Sequence, residues 1–213
     1  MATPIGNLGD VSARAKQVLS TVDLVLCEDT RVTAKLLAAL EIRPSLHSFH
    51  EHTDDLKRRK FVGMLVAGKT IALVTDAGTP AISDPGSFLV ADAVVAGITV
   101  TPIPGPSALA AALSITGLPF DRFTFVGFPP HKKGRQSFFK ELAEIKHVIV
   151  MYESTHRIMK TLEALKMLDR ELVVCRELTK LHETIYRGTA DEVIKQLTAT
   201  SMKGEFVLVI AAR

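Results

Sequence analysis

Seven apolar runs of four to six residues recur along the chain, at 23–27, 70–75, 98–102, 123–128, 148–152, 172–175 and 206–211. Each is too short for a buried helix and rich in Val, Ile, Leu, Thr or Phe, so each reads as a buried strand. Between most of them lie segments whose apolar residues return at helical spacing: 14–19, 33–40, 56–66, 88–95, 107–115, 156–168 and 190–197. Gly97 and Gly117 stand where helices end, Ser154 and Thr155 where one begins, and Thr189 to Glu192 (TADE) has the form of a capping box. Strand–helix alternation of this kind specifies an α/β fold. The break GLPFD at 117–121 divides the chain, and after it the strands crowd together, with a hairpin expected in 175–189. Two α/β lobes, 1–117 and 118–213, are the expected organisation. There is no internal repeat and no low-complexity tract.

With 213 residues, 47% of them hydrophobic, the chain can build one large core or two small ones. No run approaches eighteen uninterrupted apolar residues, and residues 1–10 lack the basic start and apolar middle of a signal peptide; a cytoplasmic protein with no membrane segment is expected. Cys27 and Cys175 each close an apolar run and have no CxxC neighbour, so they read as buried strand thiols. The formal charge is only +3, but it is unevenly placed. Residues 1–112 hold ten Lys and Arg against eleven Asp and Glu, while 113–213 hold sixteen against twelve, which hints at a polyanionic partner.

Within LVTDAGTPAISDPGSFLV (73–90), residues 76–86 concentrate two aspartates, two glycines, two prolines and a serine, and TPIPGPSALAAAL (101–113) repeats the pattern with three more prolines. Neither is a phosphate loop. GMLVAGKT (63–70) spells GxxxxGK[ST], but it leads from a helical segment (56–66) into a strand (70–75), the reverse of the strand–loop–helix order that cradles phosphate. There is no GxGxxG, only the looser Gly6-Asn7-Leu8-Gly9, so kinase, GTPase and dinucleotide-dehydrogenase readings lose their support. Proline removes a donor and keeps its carbonyl, so such loops present acceptors and rigid turns. They suit a cationic ligand without phosphate, and S-adenosylmethionine has that chemistry; Gly78, Gly86 and Gly105 would let it approach the backbone. Two structural turns that merely start helices are the alternative reading.

ATPIGNLGD (2–10), EDTR (28–31), DAGTPAISDPG (76–86), PIPGPSA (102–108), LPFDRFTFVGFPPHKKGR (118–135), YESTHR (152–157), RELTKLHE (176–183) and KGEFVLVI (203–210) together resemble the ribosomal RNA small subunit methyltransferase I family, in order and across nearly the whole chain. The resemblance implies the tetrapyrrole-methylase type of class III methyltransferase: two α/β lobes, S-adenosylmethionine in the cleft between them, and a homodimer. It further implies 2′-O-methylation of a decoding-site cytidine in 16S ribosomal RNA, with the small ribosomal subunit as partner. Relative to the family pattern, the strand before residue 2 is represented only by its end, so the first sheet is expected to lack a strand or to contain a shortened one. The C-terminal extension of some members is missing as well.

The resemblance places Asp76, Gly78, Thr79, Ile82, Ser83, Ser107, Ala108, Tyr152, Gly204 and Glu205 around the cofactor. A proton acceptor for a ribose hydroxyl would come from Glu28, Asp29, His52, Glu153 or Glu177, each near a strand end, with Glu28 and Asp29 preferred. The same acidic pair can equally cap a helix. Arg31 and Arg157 are expected to bind RNA phosphates or brace these carboxylates. In PPHKKGRQSFF (129–139), Lys132, Lys133 and Arg135 form the stronger RNA signal, whereas KRRK (57–60) follows two aspartates and reads as a solvated helix face. HSFHEH (47–52) gathers three histidines without a fixed ligand geometry, and no metal is expected. Two other functions remain open at this level: a methylase of a tetrapyrrole or other small molecule on the same fold, and a non-catalytic RNA-binding module.

Overall fold

The structure, a computed structural model, describes residues 1–50, 53–84 and 86–213. It divides into two compact units, Met1–Ser107 and Ala108–Arg213. The division falls ahead of the 117/118 break expected from the sequence, because the helix after Ser107 packs on a strand of the second unit.

In the first unit, strands β1 (Leu24–Cys27), β2 (Ser45–Ser48) and β3 (Ile71–Leu73) form a parallel sheet of order β2-β1-β3. Leu24 pairs with Ser45 on one side and Ile71 on the other. Central β1 is buried along its whole length, as expected of an LVLC run in a parallel sheet covered on both faces. Edge strand β2 has the sequence SLHS and alternates exposed with half-buried positions; too polar for an apolar-run search, it is the strand the sequence reading missed. Helices α2 (Thr30–Ala39) and α3 (Asp55–Val66) connect the strands, with α1 (Ala13–Thr21) before the first and α4 (Ser87–Val95) after the last. Ser12, Asp29 and Asp54 cap the first three through side-chain oxygens. The strand expected at 98–102 does not form: Ile98 N–H closes the end of α4 on Ala93, Val100 is exposed, and among the described residues no strand pairs with the run.

The second unit begins with α5 (Ala108–Ser114) and holds a mixed five-stranded sheet of order β4-β5-β8-β6-β7. The strands are β4 (Phe123–Phe125), β5 (Val148–Ser154), β6 (Leu172–Arg176), β7 (Thr184–Gly188) and β8 (Glu205–Ile210); β4 and β5 are parallel and the other pairs antiparallel. The 175–189 hairpin is thus β6 and β7. Helices α6 (Arg135–Glu144), α7 (Ile158–Leu165) and α8 (Ala190–Ala199) complete it, with the Thr189–Glu192 capping box present at α8. The sequence reading missed α6, whose basic, glycine-led start reads as a loop, although Phe139 and Leu142 bury at i, i+3. One core joins these helices to the sheet through Met151, Ile158, Leu162, Val193, Leu197 and Leu208, all fully buried. Cys27 and Cys175 are free, buried thiols. Among the described residues, no helix is long and apolar enough to cross a membrane.

Candidate active site

In the first unit, the loops after β1 and β3 meet at the carboxyl ends of parallel strands, where open α/β sheets gather ligands. Asp76 ends the β3 run and its Oδ1 accepts the Asp29 N–H at 3.0 Å, tying the two loops together. Asp29 itself caps α2: Oδ1 accepts the Arg31 N–H at 2.8 Å, and the Arg31 guanidinium grips both carboxylate oxygens, closest at 2.6 Å. Those hydrogen bonds from Arg31 hold the Asp29 carboxyl down at about 2, a poor proton acceptor at neutral pH. Arg31 is exposed and engaged with Asp29, the bracing half of what the sequence suggested for it.

Glu28 instead lines a cavity of ≈ 410 Å³ together with His50, Arg58, Ser83, Asp84 and Phe88. Arg58 contributes a wall whose charge is neutralised by ion pairs to Asp55 and Asp92, and it stacks over Phe88 at 5.8 Å. Asp84 is the carboxyl the sequence reading overlooked, because a DP step looks like turn punctuation. Burial raises it to about 6, the charges of Glu28 and Asp76 push the same way, and the Thr75 hydroxyl opposes them from just outside good hydrogen-bond geometry. The loop that carries it is strained: Ala81 and Ser83 lie at φ 66° and 64°, the left-handed region that residues with a Cβ seldom adopt. Gly78 adopts φ 83°, and a Cβ there would sit 3.3 Å from Ile5, so the backbone bridge between Gly78 and Thr3 requires glycine. Thr79 donates its hydroxyl to the Pro106 carbonyl at 3.1 Å, which joins the two proline loops. Ile82 and Ser83 are exposed, and Ser107 closes the unit.

Ala108, Tyr152, Gly204 and Glu205 belong to the second unit. Tyr152 rests edge-on against Phe125 and Phe128, at 4.8 and 5.5 Å, and its hydroxyl accepts the Leu109 N–H at the start of α5. Gly204 lies at φ 132°, with its N–H and carbonyl both bound to the Thr155 hydroxyl at 2.7 Å. Glu205 shares Lys180 with Glu177, and its N–H donates to Glu177 Oε1 at 2.9 Å. These bonds fasten the β6–β7 connection, where Glu177 and Thr179 are again at positive φ. Burial pushes Glu177 up, but Lys180 and the Glu205 N–H outweigh it and hold the group below its usual range. Glu153 is fully buried and bound to Arg157, and His52 lies outside the described residues, as does Pro85 of the cofactor loop.

Residues 2–194 match the tetrapyrrole (corrin/porphyrin) methylase family. Over 215 residues the chain is 48% identical to the ribosomal RNA small subunit methyltransferase I of Synechocystis sp., covering 99% of this chain and 77% of that protein. The Thermotoga maritima protein of the same name is 41% identical, with 100% and 97% covered. The chain belongs to the ribosomal RNA small subunit methyltransferase I family of the tetrapyrrole methylases. The fold agrees at far lower identity. A cobalt precorrin-4 methyltransferase superposes with a TM-score of 0.73 at 16% identity, covering 99% of this chain and 92% of that one. A uroporphyrin-III-C-methyltransferase from Thermus thermophilus gives 0.66 at 17%, covering 99% and 91%.

Family membership gives the loop geometry its context. The β3 loop brings Asp76, Gly78 and Thr79 together with Glu28 and Asp84, while Gly204 and Glu205 organise the β6–β7 connection. A helix-capping signature is the visible signal that assigns Asp29 to structure, and Asp84 was legible only as a second aspartate in a strained loop.

Proposed function

We propose that this chain transfers a methyl group from S-adenosylmethionine to the ribose 2′-oxygen of a decoding-site cytidine in 16S ribosomal RNA, acting in the cytoplasm as a homodimer. The observation that carries the reading is the 41–48% identity, over nearly the whole chain, to proteins named ribosomal RNA small subunit methyltransferase I. The first unit's loops fit the cofactor's chemistry. Glu28, Asp76 and Asp84 converge as carboxyls near one another, which disfavours a phosphate and suits a sulfonium cation. The carbonyl-rich, glycine-relieved turn at Gly78 offers acceptors to an amino acid and a nucleoside.

When bound, S-adenosylmethionine supplies an electrophilic methyl on a positively charged sulfur. Asp76, Gly78, Thr79, Ile82, Ser83 and Ser107 would hold it, with Ala108, Tyr152, Gly204 and Glu205 of the second unit. Holding the 2′-hydroxyl in line contributes on the order of 7–11 kcal/mol in favourable cases, so most of the chain's work is positioning. The hydroxyl must also lose its proton as its oxygen takes the methyl. Asp29 is spent on α2 and Arg31, whereas Glu28 and Asp84 face the cavity, and Asp84 has the higher proton affinity of a half-buried carboxyl. We assign proton acceptance to Asp84, with Glu28 beside it.

Labelled S-adenosylmethionine offered with 30S subunits, free 16S RNA or a porphyrinoid tests the reading. Label entering a 2′-O-methylcytidine is the expected result; label entering only the porphyrinoid would replace it with the small-molecule methylase that the structural neighbours favour. Saturable RNA binding without any transfer would leave a binding module.

A further inference from the structure

Resting on the RNA reading above, we infer that Glu153 is a positioning residue that locks the turn 129–134 and so presents His131, Lys132 and Lys133 to RNA phosphates. Glu153 sits near the end of β5 with its side chain wholly buried. A buried carboxylate is tolerated only when paired and hydrogen-bonded, and this one is saturated. Oε1 accepts from Arg157 Nη2 at 2.8 Å and from the Ser154 N–H at 2.8 Å; Oε2 accepts from the Thr161 hydroxyl. Thr161 Oγ1 in turn accepts from Arg135 Nη2 at 2.7 Å. One carboxylate therefore orients two guanidiniums.

Both guanidiniums reach the same short piece of backbone. Arg157 Nη1 donates to the Pro129 carbonyl at 2.8 Å and Arg135 Nη1 to the Pro130 carbonyl at 3.2 Å. Prolines have no N–H, so their carbonyls are the only backbone groups that can anchor a Pro-Pro step. Each arginine is further held against a ring, Arg157 over Phe128 at 5.9 Å and Arg135 over Phe139 at 4.9 Å. Arg135 and Arg157, offered by the sequence as phosphate contacts, are thus turned inward. The groups left facing solvent are the cations Lys132 and Lys133 and the neighbouring His131 imidazole, all exposed and without a salt bridge among the described residues. Gly134 at φ 80° ends the turn, and α6 starts with no side-chain cap. An open hollow beside it is walled by His131, Lys132 and Lys140.

The test is RNA affinity against salt for the full chain, using a 16S RNA fragment and, in parallel, 30S subunits. Lys132→Ala with Lys133→Ala should weaken binding and flatten the log–log salt slope by roughly 1.4, the loss of two single-strand phosphate contacts. Glu153→Gln should weaken RNA binding about tenfold at physiological salt, raise KM for RNA more than it lowers kcat, and leave S-adenosylmethionine affinity within about twofold. Added to the double lysine variant, Glu153→Gln should change RNA affinity less than about twofold, because its effect runs through the same turn. Thr161→Val, which removes the Arg135 branch together with the hydroxyl's bond to Glu153 Oε2 but leaves the Glu153–Arg157 ion pair, should give a smaller loss of the same kind and carries the test should Glu153→Gln not fold. Full additivity with the lysines, loss of cofactor binding in proportion to RNA binding, or wild-type RNA affinity in Glu153→Gln and Thr161→Val would overturn the inference. So would a double lysine variant that binds RNA normally. In each case the methyltransferase reading stands or falls separately, on transfer by the wild-type chain.

Discussion

Replacing Asp84 with Asn should stabilise the protein at neutral pH while removing its activity. The native carboxyl titrates near about 6 instead of 3.8, chiefly through burial and secondarily through Glu28 and Asp76. Two units at 1.36 kcal/mol each give an upper bound of about 3 kcal/mol, which partial exposure and screening reduce to about 1–2 kcal/mol. The sign follows from proton binding. Between about pH 4 and pH 6 the folded state holds this proton more tightly than the unfolded chain, so this group's contribution to stability is greatest below about pH 4 and declines as pH rises through 6. Asn has no charge to desolvate and should remove that decline. Urea unfolding of wild type and Asp84→Asn from pH 4 to pH 8 should therefore show curves that nearly coincide at pH 4 and part in the variant's favour above pH 7. Because burial is the larger cause, most of the gap should survive 0.5 M salt, an ionic strength that shortens the Debye length to about 4–5 Å. A gap independent of pH, or a variant less stable at pH 8, would refute the environment assigned to Asp84; undiminished methyl transfer by the variant would refute its role.

Gly204→Ala forces a Cβ to within 2.7 Å of Glu177 at φ 132°, and should cost about 2–3 kcal/mol and expose the β6–β7 connection to proteolysis. Gly68→Ala, at φ 85° but with open space around it, should cost only about 1 kcal/mol, and limited digestion beside urea unfolding compares the two. Burial raises both thiols, Cys175 to about 11, so neither should react with a disulfide reagent at pH 8 until the protein is unfolded. Thr189→Ala removes the capping box at α8 and should lower stability by about 1 kcal/mol, read from the urea midpoint at unchanged slope.

The α/β class, the order of most elements, the buried cysteines and the α8 cap were written in local pattern, because apolar period and cap residues act over a few positions. LVLC had to be an interior strand covered on both faces, but only the fold made its neighbours parallel, since LVVC (172–175) is buried as fully between antiparallel ones. Pairing and charge environment are decided over longer distances. Edge strand SLHS carries no apolar signature and exists because β1 offers it a ladder, whereas 98–102 has the signature but no strand partner among the described residues. Likewise EDTR shows two equivalent acids in sequence, and only the fold separates them: Asp29 is consumed by a helix end and an arginine, while Glu28 is left in a cavity with an aspartate fifty-six positions away. A carboxyl's proton affinity depends on what surrounds it in space, and that neighbourhood is assembled by tertiary contacts no local spacing records.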